Sequence, residues 1–209
     1  MAFAFQIRTS ASQDRLEKLI EARLQPGADK QAVDRRIWDL FGEEWAVMFT
    51  DLVGFSRRVA EFGITHFLQT IYESQKLFVP CIDHYDGILL KLEADSMLVI
   101  FRNVRKAIEC AVHMQKCAKA YNKNKEAAEK ILLCIGLGFG RVLHIGDEDV
   151  FGAEVTAASK LGEDAAKAWE ILVTSAVRDA ALELPHVTFT QIGIIPPGAL
   201  GAYKMHFEL

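Results

Sequence analysis

A chain of 209 residues, 51% of them hydrophobic, can bury a full core and has the size of one domain with an appendage. A net charge of −4 provides no basic footprint for nucleic acid, and no apolar run approaches the roughly 18–20 residues that cross a bilayer. Met1 to Gln13 carries neither a charged leader segment nor a sustained apolar stretch, so no secretory signal is expected and the location reads as cytoplasmic.

Ser12 to Leu24 is charged and helix-forming, and Gln25-Pro26-Gly27-Ala28-Asp29 interrupts it. A second helical pattern follows, with Val33, Ile37, Leu40 and Phe41 on one face and Gly42 at its end. These two segments predict a helical N-terminal appendage over 1–43, ahead of a larger unit at 44–209.

From Glu44 onward strands and helices alternate. Trp45 to Phe49 is continuously apolar, as in a strand buried on both faces. A helix is expected over 65–85. Asp86-Gly87 then turns into two apolar runs, Ile88–Leu92 and Met97–Phe101, and Glu93-Ala94-Asp95-Ser96 between them reads as a hairpin turn. Ala107, Cys110, Ala111, Met114, Cys117, Ala118 and Tyr121 recur at three- and four-residue steps, the pattern of a helix facing a sheet. The Lys/Glu-rich stretch 122–130 reads as a solvated helix end or loop. A long strand over 131–145, a helix over 153–161, a strand over 170–174, a helix over 175–182 and closing strands over 186–192 and 202–209 complete the order. Strand, helix, strand, strand, helix, strand is a ferredoxin-like βαββαβ core of the α+β class, here with additional C-terminal strands and helices. That architecture hosts many activities, so function rests on the site.

Four cysteines (Cys81, Cys110, Cys117, Cys134) lie in apolar stretches without CxxC spacing, and the six histidines are scattered singly. They are expected to be reduced packing residues and do not suggest a zinc site. Gly136, Gly138 and Gly140 form a G-x-G-x-G run, but inside a strand and with no Gly-Lys-Ser/Thr after it. They are expected to permit close packing, not to cradle phosphate.

Two carboxylates stand out. Asp51 follows the first buried strand in Phe49-Thr50-Asp51-Leu52-Val53-Gly54-Phe55-Ser56, and Asp95 ends Lys91-Leu92-Glu93-Ala94-Asp95. Taken singly, each aspartate reads as a turn or helix cap. Taken together on neighbouring strand ends, they could bridge two magnesium ions about 4 Å apart, one acidifying a hydroxyl and the other neutralising phosphate.

These segments resemble the class III nucleotidyl cyclases. Phe49 to Ser56 is similar to the family's first metal-binding segment, and Lys91 to Asp95 to its lysine and second metal-binding aspartate. Asp149-Val150-Phe151-Gly152-Ala153-Glu154-Val155-Thr156-Ala157-Ala158-Ser159-Lys160 is similar to the run into its transition-state helix. The resemblance spans roughly Trp45 to the C-terminus. It implies that Asp51, Asp95 and the Leu52 carbonyl hold two Mg²⁺ or Mn²⁺ ions, and that Lys91 and Asp149 read the purine. A lysine donor to N1 and a carboxylate accepting from the 6-amino group suit adenine, whereas guanine presents both edges with the opposite polarity. The bland alternative for Lys91 and Asp149 is a surface salt bridge. The resemblance further implies a homodimer with composite active sites, ATP as substrate, and catalytic roles for Thr156 and Lys160.

Three departures qualify this. Thr156 stands where the family has a ribose-orienting Asn, and Lys160 where it has a charge-stabilising Arg. Ile195-Pro196-Pro197-Gly198 stands near a position where a Lys-Gly pair contacts the triphosphate. Lysine keeps the charge but loses the planar fork. The resemblance therefore implies an adenylate cyclase or, alternatively, a degenerate cyclase-homology domain acting as a nucleotide-binding or regulatory module.

Overall fold

The computed structural model describes residues 11–208, and of residues 55–58 the backbone alone. In chain order the elements are α1 (Ala11–Leu24), α2 (Lys30–Phe41), β1 (Gly42–Leu52), α3 (Phe55–Phe62), α4 (Ile64–His84), β2 (Ile88–Glu93), β3 (Ser96–Phe101) and α5 (Val104–Asn122). After a 3₁₀ turn (Ala127–Glu129) come β4 (Leu133–Ile145), β5 (Asp149–Phe151), α6 (Ala153–Ser159) and a π-helical turn (Lys160–Ala165). The chain closes with β6 (Ile171–Thr174), α7 (Ser175–Ala180), β7 (Thr188–Ile192) and β8 (Ala202–His206).

One sheet holds all of these strands in the order β2-β3-β1-β4-β6-β8-β7, with β5 paired to β4. Its first four strands are antiparallel neighbours, with α4 after β1 and α5 after β3. This is the expected ferredoxin-like core, and β6, β8 and β7 extend it on the β4 side.

Period-two alternation along β1 sorts the two faces. Ala46, Met48 and Leu52 join Met97, Val99, Leu133 and Ile135 under α4 and α5, with Phe78, Ile82, Ala107, Ala111 and Met114 filling the layer. Trp45 and Val47 join Leu98 and Ile100 on the opposite face, where Val155 and Ala158 of α6 cover them. The glycines of β4 allow that cover. A Cβ on Gly136 would fall well inside van der Waals distance of the Ala158 carbonyl, and one on Gly138 would meet the Glu154 carbonyl. The G-x-G-x-G run is thus a packing groove for α6 and the π turn.

The local signals account for most boundaries. Asp29 caps α2 by accepting from the Ala32 N–H at 3.0 Å, and Asn103 caps α5 by accepting from the Arg105 N–H at 2.8 Å. Gly42 closes α2 with its N–H on the Trp38 carbonyl and is also the first residue of β1, pairing with Leu143. The strand therefore starts before the apolar run at Trp45, its polar entry Glu43-Glu44 being held by β4. Helix α3 and strand β5, of 8 and 3 residues, are elements that the sequence periodicity did not show. Within 122–130, Asn122 is buried: its side-chain amide donates to the Ile131 carbonyl at 2.7 Å and accepts from the Ile131 N–H at 2.8 Å. That clip closes the loop onto the sheet.

Helices α1 and α2 form a hairpin fastened by Arg23, whose guanidinium donates to both Asp34 carboxylate oxygens at 2.6 and 3.2 Å. Leu19, Ile37 and Phe41 dock this hairpin on Ile145 at the end of β4.

Candidate active site

Asp51 is the penultimate residue of β1 and by alternation shares the face that carries α6. Asp95 sits in the two-residue turn between β2 and β3, after Ala94, whose φ of 51° is left-handed. The β1–β3 register sets Thr50 opposite Met97, so Ser96 comes beside Asp51, and its hydroxyl donates to Asp51 Oδ1 at 3.2 Å. Gly54 follows with φ of 93°, a turn that favours glycine, and starts α3.

Burial pushes the Asp51 carboxyl up to about 6, the Asp95 charge adds to it, and the Ser96 hydroxyl and Leu52 N–H pull it back. Burial also raises Asp95, against hydrogen bonds from its own N–H and from the Asp51 carboxyl. Glu163, on the π turn, presses both upward with a third negative charge. The ionisation of both aspartates is thus disfavoured beside Glu163, the condition a divalent cation relieves.

Glu163, Ser96 and Cys134 were absent from the residues the sequence pointed to. The Cys134 thiol lies 3.3 Å from the Asp51 carbonyl and 3.1 Å from the Gly162 carbonyl, and burial pushes its pKa up to about 12. It remains a protonated donor and ties the end of β1 to the π turn. Gly162 presses its backbone against Phe49 and Gly136, which turns Glu163 toward the aspartates. The only sequence signal for this was Gly162-Glu163 itself, and π turns of this kind recur at functional sites.

Lys91 on β2 and Asp149 at the start of β5 meet, with Nζ donating to Oδ2 at 2.6 Å. The second Asp149 oxygen accepts from the Val150 N–H at 2.8 Å, which fixes the carboxylate. Phe49, Lys91, Ser96, Asp149, Val155 and Glu163 line a cavity of about 180 Å³. That is smaller than the roughly 300–1,000 Å³ of a pocket enclosing a whole drug-sized ligand.

Leu52 ends β1 with its side chain buried. Thr156 and Lys160 are exposed on α6 and the π turn. The Thr156 hydroxyl donates back to the Gly152 carbonyl at 3.3 Å, and Lys160 pairs with Asp164 at 2.6 Å. Within the chain no described contact joins them to the aspartate pair. Gly198, at φ of 93°, rests against the Ala153 backbone, which places the Ile195–Gly198 loop at the start of α6.

The sequence signature of the "Adenylate and Guanylate cyclase catalytic domain" family matches residues 42–207. The chain belongs to that family. The match begins at Gly42, where α2 gives way to β1. A Rhizobium meliloti (strain 1021) protein named "Putative adenylate cyclase 3" is 26% identical over 116 residues, covering 56% of this chain and 20% of that protein. The serine/threonine-protein kinase pkn2 of Myxococcus xanthus is 28% identical over 131 residues, covering 63% of this chain and 16% of the kinase. The cyclase chain therefore spans a fifth or less of these curated relatives. Among solved structures, the adenylate/guanylate cyclase/hydrolase from Silicibacter pomeroyi superposes with a TM-score of 0.68 at 23% identity, covering 78% of this chain and 96% of that one. The adenylyl cyclase CyaB from P. aeruginosa gives 0.64 at 19% identity, covering 80% and 96%. The two likenesses confirm the cyclase fold. No helix among the described residues is long and apolar enough to cross a membrane.

Proposed function

We propose that this cyclase domain is an adenylate cyclase, converting ATP to 3′,5′-cyclic AMP and pyrophosphate at a homodimer interface. The observation that carries the reading is the carboxyl pair Asp51 and Asp95, two half-buried acids at adjacent strand ends, with Glu163 adding a third negative charge. An all-oxygen donor set with surplus negative charge fits hard cations such as Mg²⁺ or Mn²⁺. Asp51, Asp95 and the Leu52 carbonyl would hold them. When bound, such ions supply charge neutralisation at the triphosphate and an acidified ribose hydroxyl.

The chain's own groups do the rest by position and charge. Lys91 donates to adenine N1 and Asp149 accepts from the 6-amino group, and their 2.6 Å pairing holds both ready at one site. The ribose 3′-hydroxyl gives its proton to water and its oxygen bonds to the α-phosphorus, while the bond from that phosphorus to the β-phosphate bridging oxygen breaks and pyrophosphate leaves with the electron pair. Thr156 offers the ribose a hydroxyl, and Lys160 a positive charge to the reacting phosphate. In the dimer these two and the purine-reading pair serve the partner's metal site. Exposed Leu92 and Phe151, next to Lys91 and two residues from Asp149, offer apolar surface for a second copy to cover. Residues 1–43 belong to this reading as an appendage to a catalytic unit over 44–209, its described part from Ala11 onward docked on that unit and residues 1–10 lying outside the described residues. Asp51→Asn should abolish cyclic nucleotide formation while leaving the thermal transition in place; retained activity would refute the metal assignment.

The engagement of Thr156 with its own helix and of Lys160 with Asp164 favours a second reading, a nucleotide-binding regulatory domain of low activity. Loss of one charge-stabilising contact costs a hundred- to a thousandfold in rate, about 2.7–4 kcal/mol in barrier. If Thr156→Asn with Lys160→Arg turns an inactive protein into an active one, the natural chain is the regulatory form. If the wild type is active and the double change alters kcat by about tenfold or less, the enzyme reading holds.

A further inference from the structure

On the sheet face away from the aspartates, the packing of α4 against α5 assembles a cluster that the sequence had dispersed. One ligand atom from each of Cys81, His113 and Cys117 lies within 4.8 Å of the other two. His113 and Cys117 are four residues apart on α5 and so share a helix face, and Cys81 faces them from α4. The two sulfurs are 3.7 Å apart. Two thiolates bound at about 2.3 Å to one tetrahedral cation sit about 3.8 Å apart, so this separation already matches one edge of such a tetrahedron. The imidazole must close by at most about 1.3 Å to reach the nitrogen–sulfur edge of that tetrahedron, within the reach of a side-chain adjustment.

Three further features suit a ligand site. The Nδ1 atom of His113 is buried with no hydrogen-bond partner among the described residues. Its ring is held edge-on by His84 and Tyr85, at centroid separations of 6.0 and 5.8 Å. A cavity of about 660 Å³, lined by His113, Tyr85, Val112 and Lys116, leads from solvent to that imidazole. Burial pushes the Cys81 thiol up to about 12, with Cys117 beside it adding to the shift, so an inert packing thiol is the metal-free state.

We propose that Cys81, His113 and Cys117 bind a thiophilic d¹⁰ cation, zinc foremost, with solvent as fourth ligand, stapling α4 to α5. Binding one Zn²⁺ releases the two thiol protons, so the charge of the bound group balances. The cysteine spacing does not mark such a cluster in the sequence, because two helices 20 residues apart in the chain supply it. The site lies outside the cyclase reading, and its test uses no nucleotide.

Reduced, metal-free protein is titrated with Co²⁺ in excess Mg²⁺, which occupies oxygen sites. Thiolate-to-cobalt charge transfer and tetrahedral d–d bands should appear, saturate at one cobalt per chain and vanish on adding equimolar Zn²⁺. Cys117→Ser, at a partly exposed position, should lower affinity at least about tenfold and diminish the charge-transfer band, as should His113→Ala. Cys134→Ser, on the other face, should leave both intact. Far-UV circular dichroism of each variant, taken without metal, checks folding. Absence of thiolate bands in the reduced wild type, or their persistence in folded Cys117→Ser, would overturn the proposal.

Discussion

Asp51 ties the chemistry to a measurable proton. Its native pKa of about 6 lies above the ordinary aspartate value of about 3.9. Between those values the native state binds more protons than the unfolded chain, so stability falls as pH rises through the window. In Mg²⁺-free buffer the melting temperature should decline from about pH 4 to pH 6 by this contribution. Mg²⁺ should restore it more at pH 7 than at pH 4.5, and Asp51→Asn should flatten both effects. A melting-temperature difference between wild type and Asp51→Asn that does not fall across the window, or a wild type indifferent to Mg²⁺, would contradict the assignment. Lys91 and Asp149 were singled out by the family resemblance, and Asp51 and Asp95 were legible because a strand end and a hairpin turn mark them in the sequence. Glu163 and Cys134 were not: their roles depend on how Gly162 presses the π turn onto β1 and β4, a contact between distant segments.

The β4 glycines decide how closely α6 can lie on the sheet. Gly136→Ala would drive a methyl into the Ala158 carbonyl and the Gly162 backbone, both rigid. The expected cost is about 1–3 kcal/mol in urea unfolding, together with a loss of nucleotide turnover as the π turn shifts. Gly193→Ala, with nothing within 4 Å of the added carbon, should be close to neutral. Equal stability of the two variants would mean that the groove is not tight. Long periodic elements such as α4, α5 and β4 were readable to within a few residues. Helix α3 and strand β5 were not, being too short for a periodic signal, and the β1 start was masked by Glu43 and Glu44, which only pairing with β4 makes into strand.

The βαββαβ core could be read from element order alone, because short connections leave few topologies, whereas the order β6-β8-β7 of the added strands came only with the structure. Which surfaces meet a second chain could not, since no spacing rule encodes an interface. Composite sites make a quantitative demand on the assembly. Mixing equal amounts of inactive Asp51→Asn and inactive Lys91→Met chains, with exchange, puts half the chains' dimers in mixed form with one intact site each. Activity should return to about one quarter of the wild-type value. No recovery in a mixture shown to exchange would place both halves of each site in one chain.

The most direct trial of the adenylate cyclase assignment is mass spectrometry of the products formed from an equimolar mixture of ATP, GTP, CTP and UTP with Mg²⁺ or Mn²⁺. The account predicts 3′,5′-cyclic AMP as the dominant cyclic product, lost in Asp51→Asn. Cyclic GMP as the main product, or no cyclic nucleotide with either metal, would contradict it.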